Sequence, residues 1–250
     1  MDTSSALWDR IRQPRGPLGR AARRAVVSAP GIYAAYLVHG LRHPKLLRPR
    51  VTASERAEAL HGDQIVLRPD WTTNAAIDIA APPDKVWPWL VQIGYGRAGW
   101  YTWFPMDNGG VPSAEVIVPA LQALAVGDVI PDGARAADGF GLWRVHTLER
   151  PRCLVLHSRR NPVTGREIPP SGDGRDSFID CSWAFVLVES TPGHTRLRVR
   201  VRVRFHGKVW IAPVARAARV FFGLGDNVME NTMLAGIRSR VERAAVAAAA

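Results

Sequence analysis

Three side chains are the strongest candidates for general acid–base chemistry in this sequence of 250 residues, namely Asp107, His157 and Glu230. Catalysis of this kind requires two such groups to converge on one reacting centre. The sequence contains neither a G-x-S-x-G nucleophile motif nor a pair of carboxylates spaced for glycoside hydrolysis. An enzymatic role therefore depends on whether the fold brings these three side chains together, and a binding role is favoured over catalysis.

Two histidines and two cysteines are the residues to consider for a metal site. His39 and His43 stand four residues apart, a spacing that can hold a metal ion on one face of a helix, but the pattern lacks the Glu of H-E-x-x-H. Cys153 and Cys181 have neither C-x-x-C spacing nor a disulfide-rich context, and we interpret them as small buried residues of a cytosolic protein. The sequence therefore predicts no metal site and no cofactor.

A glycine-rich segment at Gly94, Gly96 and Gly99 formally matches G-x-G-x-x-G. A dinucleotide site would need a strand before these glycines and a helix N-terminus after them, to bind the pyrophosphate. Here a helical pattern precedes the glycines and an aromatic run follows. We therefore interpret the segment as a flexible stretch that folds over the core or a ligand, with apolar surface from the aromatic residues Trp100, Tyr101, Trp103 and Phe104.

Most of the positive charge lies near the N-terminus. The chain carries a formal net charge of +11, and residues 1–50 hold ten Arg or Lys against Asp2 and Asp9. The remainder is close to neutral, which makes nucleic acid an unfavoured partner for the folded domain. Ala25–Leu41 has no formal charge, but Pro30-Gly31 interrupts it and it is short for a membrane-spanning helix of about 20 residues.

The basic arm nevertheless leaves one alternative function open. A short apolar segment flanked by Arg and Lys suits either ordinary packing on the domain or peripheral contact with an anionic membrane. The protein could therefore be a membrane-surface or nucleic-acid adaptor that acts through residues 10–50. We expect a cytoplasmic location, with the inner face of the membrane as a possible site of attachment, and the oligomeric state stays open.

The chain from Arg196 to Phe205 alternates arginine and apolar residues without interruption, which predicts a half-buried strand. Phe178–Val188 supplies its hairpin partner, because pairing Leu187 with Leu197 places the apolar residues of both strands on one face. Asp180 then lies opposite Arg204 on the other face. We expect the arginine face to be a solvated outer surface.

The remaining elements complete an antiparallel sheet and a helical cover. A strand at Asn74–Ile79 precedes a short helix that begins after Pro82, and a second helix is predicted at Ser113–Leu124. Three strands are predicted next, at Asp128–Pro131, Leu142–Leu148 and Cys153–Ser158, with Thr147 opposite Leu154, His146 and His157 on the outer side, and a long loop at Arg159–Ser177. The long C-terminal helix runs from a cap at Asp226 or Asn227 to Ala247, with an apolar stripe of Met229, Met233, Ile237 and Val241.

Three stretches also resemble a known family in their wording: Ala80–Gly94, Gly96-Arg97-Ala98-Gly99-Trp100-Tyr101 and Trp183–Leu187. Over about residues 71–246 the chain resembles the actinobacterial SRPBCC proteins, also described as START-like or polyketide cyclase/dehydratase-like. The resemblance implies an α+β helix-grip fold, in which a curved antiparallel sheet wraps around the long C-terminal helix with an apolar cavity between them. Charge and polarity predict a basic arm (1–50) and a linker (51–70) ahead of the domain that carries the resemblance, which we expect to be a ligand-binding domain (71–250).

The function implied by the resemblance is the binding, for sequestration or transport, of a small hydrophobic molecule such as a lipid, a sterol or a polyketide. The alternative is an enzyme of the cyclase, dehydratase or hydrolase type acting on such a molecule, although no family set of catalytic residues can be matched to this chain. Methionines and aromatic residues would form an adaptable cavity wall. The predicted ligand-binding residues are Trp87, Trp100, Tyr101, Trp103, Phe104, Trp183, Phe185, Val201, Met229, Met233 and Ile237.

Overall fold

The computed structural model describes residues 29–48, 50–133, 136, 139, 141–161, 164–169, 177–207 and 212–249. Residues 1–28 of the predicted basic arm lie outside these ranges. Much of the predicted loop at Arg159–Ser177 also lies outside them.

Six antiparallel strands form one sheet in the order β1-β6-β5-β4-β3-β2. Strands β2 to β6 follow one another as a meander, and β1 closes the far edge by pairing with β6. The strands are β1 (Trp71–Ile79), β2 (Val129–Pro131), β3 (Leu142–Glu149), β4 (Cys153–Arg160), β5 (Phe178–Thr191) and β6 (His194–His206).

The β5–β6 hairpin has the predicted register. Leu187 pairs with Leu197, and Asp180 pairs with Arg204. One register satisfies both faces of this hairpin, since a slip of one residue would turn the apolar set of a strand to the wrong side of the sheet. The prediction for this central pair of strands is confirmed.

The β3–β4 register differs from the prediction by one residue. Leu148, rather than Thr147, pairs with Leu154, because a bulge lies between Val145 and Thr147. On the other side of the bulge Val145 pairs with Leu156, so the predicted apolar side is retained there. A bulge adds one unpaired residue to one strand, and the signal is a change of parity, since Trp143 and Val145 alternate but the next apolar residue is Leu148.

In the part of the chain that the structure describes, the sheet is accompanied by the α-helices α1 (Ala29–Arg42), α2 (Ala53–Ala57), α3 (Pro83–Val91) and α4 (Ala212–Ala249). The predicted helix at Ser113–Leu124 is wrong, since only a 3-10 turn at Pro119–Leu121 forms there. The β-branched run Val116–Val118 and the following Pro119 disfavour an α-helix at this point.

Helix α4 begins 14 residues earlier than predicted, at Ala212 instead of near Asp226. Asp226 is therefore a buried residue inside the helix and not its N-terminal cap. The Ala- and Arg-rich stretch before it has a high helix propensity, which extends the helix upstream. Asn227, the other predicted cap, is likewise inside the helix.

Helix α4 packs against one face of the sheet and forms the main core with it. Met233, Ile237 and Val241 of α4 lie in the same cluster as Trp183 of β5 and Val201 of β6. Together with the strand order, this arrangement is the α+β helix-grip fold. The fold class predicted from sequence is therefore confirmed.

The arginine face of β6 is covered rather than solvated. Arg198 donates to the Glu58 carboxylate at 2.6 Å, and Arg200, which is only 4% exposed, donates to the Asp63 carboxylate at 2.6 Å. Arg196 binds Glu55 at 2.9 Å, and this hydrogen bond lowers the pKa of Glu55 to about 2. The prediction of a solvated outer face is wrong.

Residues 51–70, predicted to be a linker, provide this cover. The buried Leu60 packs with Val155 of β4 and Ala184 and Val186 of β5, on the side of the sheet away from α4. The segment thus adds a small apolar cluster and a set of acidic partners to the outer face. Its contacts are those of an integral part of the folded unit.

We expect Arg200→Ala to lower the free energy of unfolding by about 2–3 kcal/mol, because it removes a buried guanidinium that binds the half-buried Asp63 carboxylate and the carbonyl oxygens of Glu58 and Arg56. Arg204→Ala is the matched control on the same face of β6. Arg204 donates to the carbonyl oxygen of Leu67 nearer the surface, so its loss should cost about 1 kcal/mol or less. Urea denaturation of both variants measures the difference, and equal losses would contradict the buried-network interpretation.

Candidate functional site

An aromatic interior lies between the sheet and α4, and Trp183 of β5 is at its centre. The Trp183 ring stacks on Trp100 with centroids 5.4 Å apart, and it packs at a tilt against Trp143 at 5.3 Å and Phe185 at 5.0 Å. The predicted ligand-binding residues that belong to this core are Trp87, Trp100, Tyr101, Trp183, Phe185, Val201, Met233 and Ile237.

Three predicted ligand-binding residues lie elsewhere, in a second cluster between α1 and α4. Phe104 and Met229 pack around Tyr36 of α1, and the Trp103 ring lies edge-on to Tyr36 at 6.2 Å. The backbone at Tyr101 has a φ of 59°, in the left-handed region, and Trp103 and Phe104 beyond it join this second cluster.

Helical geometry explains the position of Met229. A step of four residues turns an α-helix by about 40° more than one full rotation, so a stripe spaced by four drifts around the axis. By the third step back from Val241 the drift is large, and Glu230 occupies the inward position that the stripe had assigned to Met229. The sequence therefore predicted the right helix but assigned the inward position to Met229 instead of the adjacent Glu230.

Glu230 is the central polar residue of this interior. Its side chain is fully buried, and among the described residues neither carboxyl oxygen has a hydrogen-bond partner. Burial, helped by the charge of Asp226 one turn away, raises the pKa of Glu230 well above its ordinary value. The Trp183 indole N–H lies close enough to oppose that rise without reaching hydrogen-bond geometry. The neutral, protonated form of Glu230 is therefore favoured.

Three indole N–H groups resemble the Glu230 carboxyl in being buried without a hydrogen-bond partner among the described residues. The Nε1 atoms of Trp87, Trp143 and Trp183 are buried and have no acceptor within the described part of the chain. Leaving such a donor unpaired costs about 1–3 kcal/mol, and native proteins keep few of them. All three indoles belong to the main core. Trp183 lies close to the desolvated Glu230 carboxyl, and the Trp143 ring packs against Trp183 at 5.3 Å.

Two tyrosines of α1 close one end of this region by binding buried acids. The Tyr33 hydroxyl donates to Asp226 at 2.6 Å, and the Trp71 indole donates to the same carboxylate at 3.2 Å. The Tyr36 hydroxyl donates to Asp107 at 2.6 Å, and the Thr102 hydroxyl donates there too. Burial outweighs these hydrogen bonds and raises the pKa of both Asp107 and Asp226 to about 6.

The three predicted acid–base candidates do not share one site. His157 lies on the outer face of the sheet, as its strand position predicted, and contacts the Asp180 carboxylate at 2.7 Å. Asp107 is engaged by Tyr36 and Thr102 beneath α1. Of the three, only Glu230 belongs to the aromatic interior.

Arg160 is a charged residue on the α4 side of the sheet, and it was not among the residues predicted from the sequence. It binds Asp132 at 2.6 Å, and its guanidinium lies 5.1 Å from the centre of the Trp143 ring. Strand alternation contained the signal, because Arg160 has the same parity on β4 as the core residues Leu154 and Leu156.

The glycine-rich segment folds the aromatic run against α4. Gly94 and Gly99 pair as an isolated bridge, which closes a turn where a dinucleotide site would need a strand-to-helix junction. The Gln92 side chain donates to the Tyr101 hydroxyl at 2.7 Å. A Cβ atom at Gly236 would lie 1.9 Å from the Tyr101 carbonyl oxygen, so only glycine permits this close approach of α4.

Metal and membrane-spanning features were also sought in the described ranges. No cluster of three or more His, Cys, Asp or Glu side chains suited to a metal ion occurs there, and the His39 and His43 rings lie 4.5 Å apart without a third ligand group. No helix in the same ranges has the length and apolar character needed to cross a membrane.

Comparison with known proteins finds matches among solved structures alone. The chain matches no protein-family model and no curated protein. Solved structures with a similar fold include a conserved protein from Geobacillus kaustophilus (12% identity, covering 69% of this chain and 96% of that one, TM-score 0.36). Others are the Zhui aromatase/cyclase from Streptomyces sp. R1128 (13%, 69% and 94%, TM-score 0.32) and a START superfamily protein from Mycobacterium smegmatis (13%, 69% and 97%, TM-score 0.27).

These likenesses concern the fold alone. The order of the six strands and the placement of α4 across them agree with the START-like resemblance of the sequence. That resemblance is confirmed at the level of the fold.

The buried acids predict an unusual dependence of stability on pH. Asp226 and Asp107 have a pKa of about 6 in the folded protein but about 4 in an unfolded chain, so the folded state binds protons more tightly between these values. The free energy of unfolding should therefore fall as the pH rises from about 4 to about 6. Asp226→Asn should remove on the order of 2 kcal/mol of this fall.

Urea denaturation at several pH values across this interval measures the effect. Asp84→Asn is the control, since Asp84 is an exposed residue in the first turn of α3. A pH profile of Asp226→Asn identical to that of the wild type would show that Asp226 does not titrate in this range.

Proposed function

We propose that this protein binds a small, uncharged hydrophobic molecule that carries carbonyl or hydroxyl oxygens, in the interior between the sheet and α4. The observation that carries the proposal is the desolvated Glu230 carboxyl, which has no hydrogen-bond partner in the described part of the chain and lies close to the Trp183 indole N–H, which also lacks an acceptor there.

The apolar part of the ligand would contact aromatic rings and a thioether. Trp100 stacks on Trp183, Trp143 packs against Trp183 at a tilt, and Met233 of α4 adds a side chain that adapts to irregular shapes. Surfaces of this kind bind by shape and area and accept a range of rings and chains. Lipids, sterols and polyketides all fit this description.

The polar groups restrict the ligand further. A protonated Glu230 can donate one hydrogen bond and accept others, and an indole N–H can only donate. Together they complement oxygen acceptors embedded in an apolar molecule. A ligand carboxylate would instead add a negative charge beside Glu230, whose pKa burial and the charge of Asp226 already raise. Neutral oxygenated ligands are therefore favoured over fatty-acid anions.

A catalytic role is the second candidate, and the raised pKa of Glu230 is the observation that favours it. A buried acid that remains protonated can transfer a proton to a ligand oxygen, as general acid catalysis requires. In an enzyme of the cyclase or dehydratase type, Glu230→Gln would abolish turnover of the bound molecule while leaving its affinity within a few-fold. In a binding protein the wild type releases its ligand with an unchanged mass.

The binding proposal predicts that Glu230→Leu changes stability and affinity in opposite directions. Replacing an unpaired buried carboxyl by an apolar side chain should raise the free energy of unfolding by about 1–3 kcal/mol. The same change should weaken binding of cholesterol and of a long-chain ketone by about tenfold, and Glu230→Gln should retain most of that affinity because it keeps a donor and an acceptor.

Quenching of tryptophan fluorescence measures affinity, and urea denaturation measures stability. Met229→Leu is the matched control, since Met229 is adjacent on α4 but packs in the second cluster. A Glu230→Leu variant that loses stability and binds both probes as tightly as the wild type would contradict the proposal, because Glu230 would then be a structural residue.

A further inference from the structure

Helix α1 turns one face toward α4 and an apolar face toward solvent. Tyr33, Tyr36 and Gly40 lie on the inner face, where a Cβ atom at Gly40 would be 2.6 Å from the Val228 side chain. Val38 and Leu41 lie on the outer face and are 50% and 73% exposed. With the exposed Ala34 they are spaced four and three residues apart, so all three share one side of the helix.

An exposed tryptophan borders this face. Trp103 is 37% exposed, and its ring stacks on the His39 imidazole of α1 with centroids 4.0 Å apart. Trp side chains concentrate at membrane–water interfaces, where the ring meets the acyl region and the N–H meets polar groups. Trp103 was predicted to line the ligand site, but it lies beside α1 and outside the main core.

The charge next to the apolar face is entirely positive. Arg42, Lys45, Arg48 and Arg50 are all exposed, and the sequence from residue 29 to residue 50 contains no Asp or Glu. An exposed apolar face with basic residues at one end is the pattern of a helix that lies in the interface of an anionic membrane.

We propose that this surface, made of Ala34, Val38, Leu41 and Trp103 with the basic residues 42–50, docks the protein on an anionic lipid bilayer. Helix α1 has 14 residues, about 21 Å, which is too short to cross the hydrocarbon core, so it lies in the plane of the interface. Nucleic acid would match the positive charge but would leave Val38 and Leu41 unused. The bilayer is the one partner that accounts for both features.

The position of α1 connects docking to the interior. The inner face of the same helix donates hydrogen bonds from Tyr33 to Asp226 and from Tyr36 to Asp107, beside the region of Glu230. A protein docked through the outer face holds this end of α4 against the lipid. Only this connection rests on the proposed ligand-binding function, and the docking itself stands on the surface of α1.

Co-sedimentation of the full chain with vesicles tests the proposal. Vesicles of phosphatidylcholine with roughly 30% phosphatidylserine should bind the protein at least about tenfold more tightly than pure phosphatidylcholine, with a loss of affinity at high salt. The double variant Val38→Asp/Leu41→Asp should lose about tenfold or more of this binding. The matched control, Val188→Asp/Val246→Asp, changes two exposed valines on β5 and near the end of α4 and should bind like the wild type.

A dye reports insertion directly, without relying on the double variant. Cys153 and Cys181 are buried, so Leu41→Cys can be labelled selectively with an environment-sensitive fluorophore, whose emission should shift to the blue on anionic vesicles. Full vesicle binding by the double Asp variant, or an unshifted dye on bound vesicles, would overturn the proposal. Duplex DNA binding that survives in this variant, without vesicle binding by the wild type, would do so as well.

Two crossed measurements separate this proposal from the ligand-binding function. Glu230→Leu should leave vesicle binding within about twofold of the wild type, because Glu230 is buried far from solvent contact. The double Asp variant should retain its affinity for cholesterol in vesicle-free solution. Failure of one property with retention of the other identifies which of the two proposals is wrong.

Discussion

The burial of the Glu230 carboxyl in the middle of α4 is the constraint on which the rest of the structure depends. An unpaired acid on the inward face of a helix costs free energy that an apolar side chain at the same position would not. The aromatic residues around it supply large apolar areas but add three unpaired indole donors. The interior therefore combines strong hydrophobic contact with a local excess of polar groups, which is the combination that a ligand with oxygen atoms would relieve.

Other stabilising contacts lie on the opposite side of the sheet and at α1. Arg196, Arg198 and Arg200 bind the acidic residues and carbonyl groups of the segment 51–70, and a small apolar cluster seals that contact. Helix α1 is fixed by the hydrogen bonds of Tyr33 and Tyr36 to buried aspartates. Natural proteins commonly keep such conflicts at functional sites and offset them elsewhere. Here the ion-paired outer face and the interior around Glu230 are opposite faces of the same strands.

The sequence predicted the features that depend on local alternation of apolar and polar residues. It did not predict the features that depend on contacts between distant parts of the chain. The β5–β6 register could be predicted because both faces of the hairpin agree on one pairing. The partners of Arg198 and Arg200 could not, since Glu58 and Asp63 lie about 140 residues away and no spacing connects them. Asp226 looks like a cap because it follows glycines, although the upstream Ala-rich stretch continues the helix. Glu230 was named as a candidate, but only the drift of a four-residue stripe explains why it, and not Met229, faces the interior.

Native mass spectrometry of the purified full chain, followed by solvent extraction of whatever leaves it, tests the central claim most directly. If the interior is a ligand site organised by Glu230, the wild type carries a neutral oxygenated molecule as purified or after incubation with cholesterol or a long-chain ketone. The better-packed Glu230→Leu variant then carries much less. A wild type that stays at its bare mass under both conditions, or a Glu230→Leu variant with the same bound molecule in the same amount, would contradict the account.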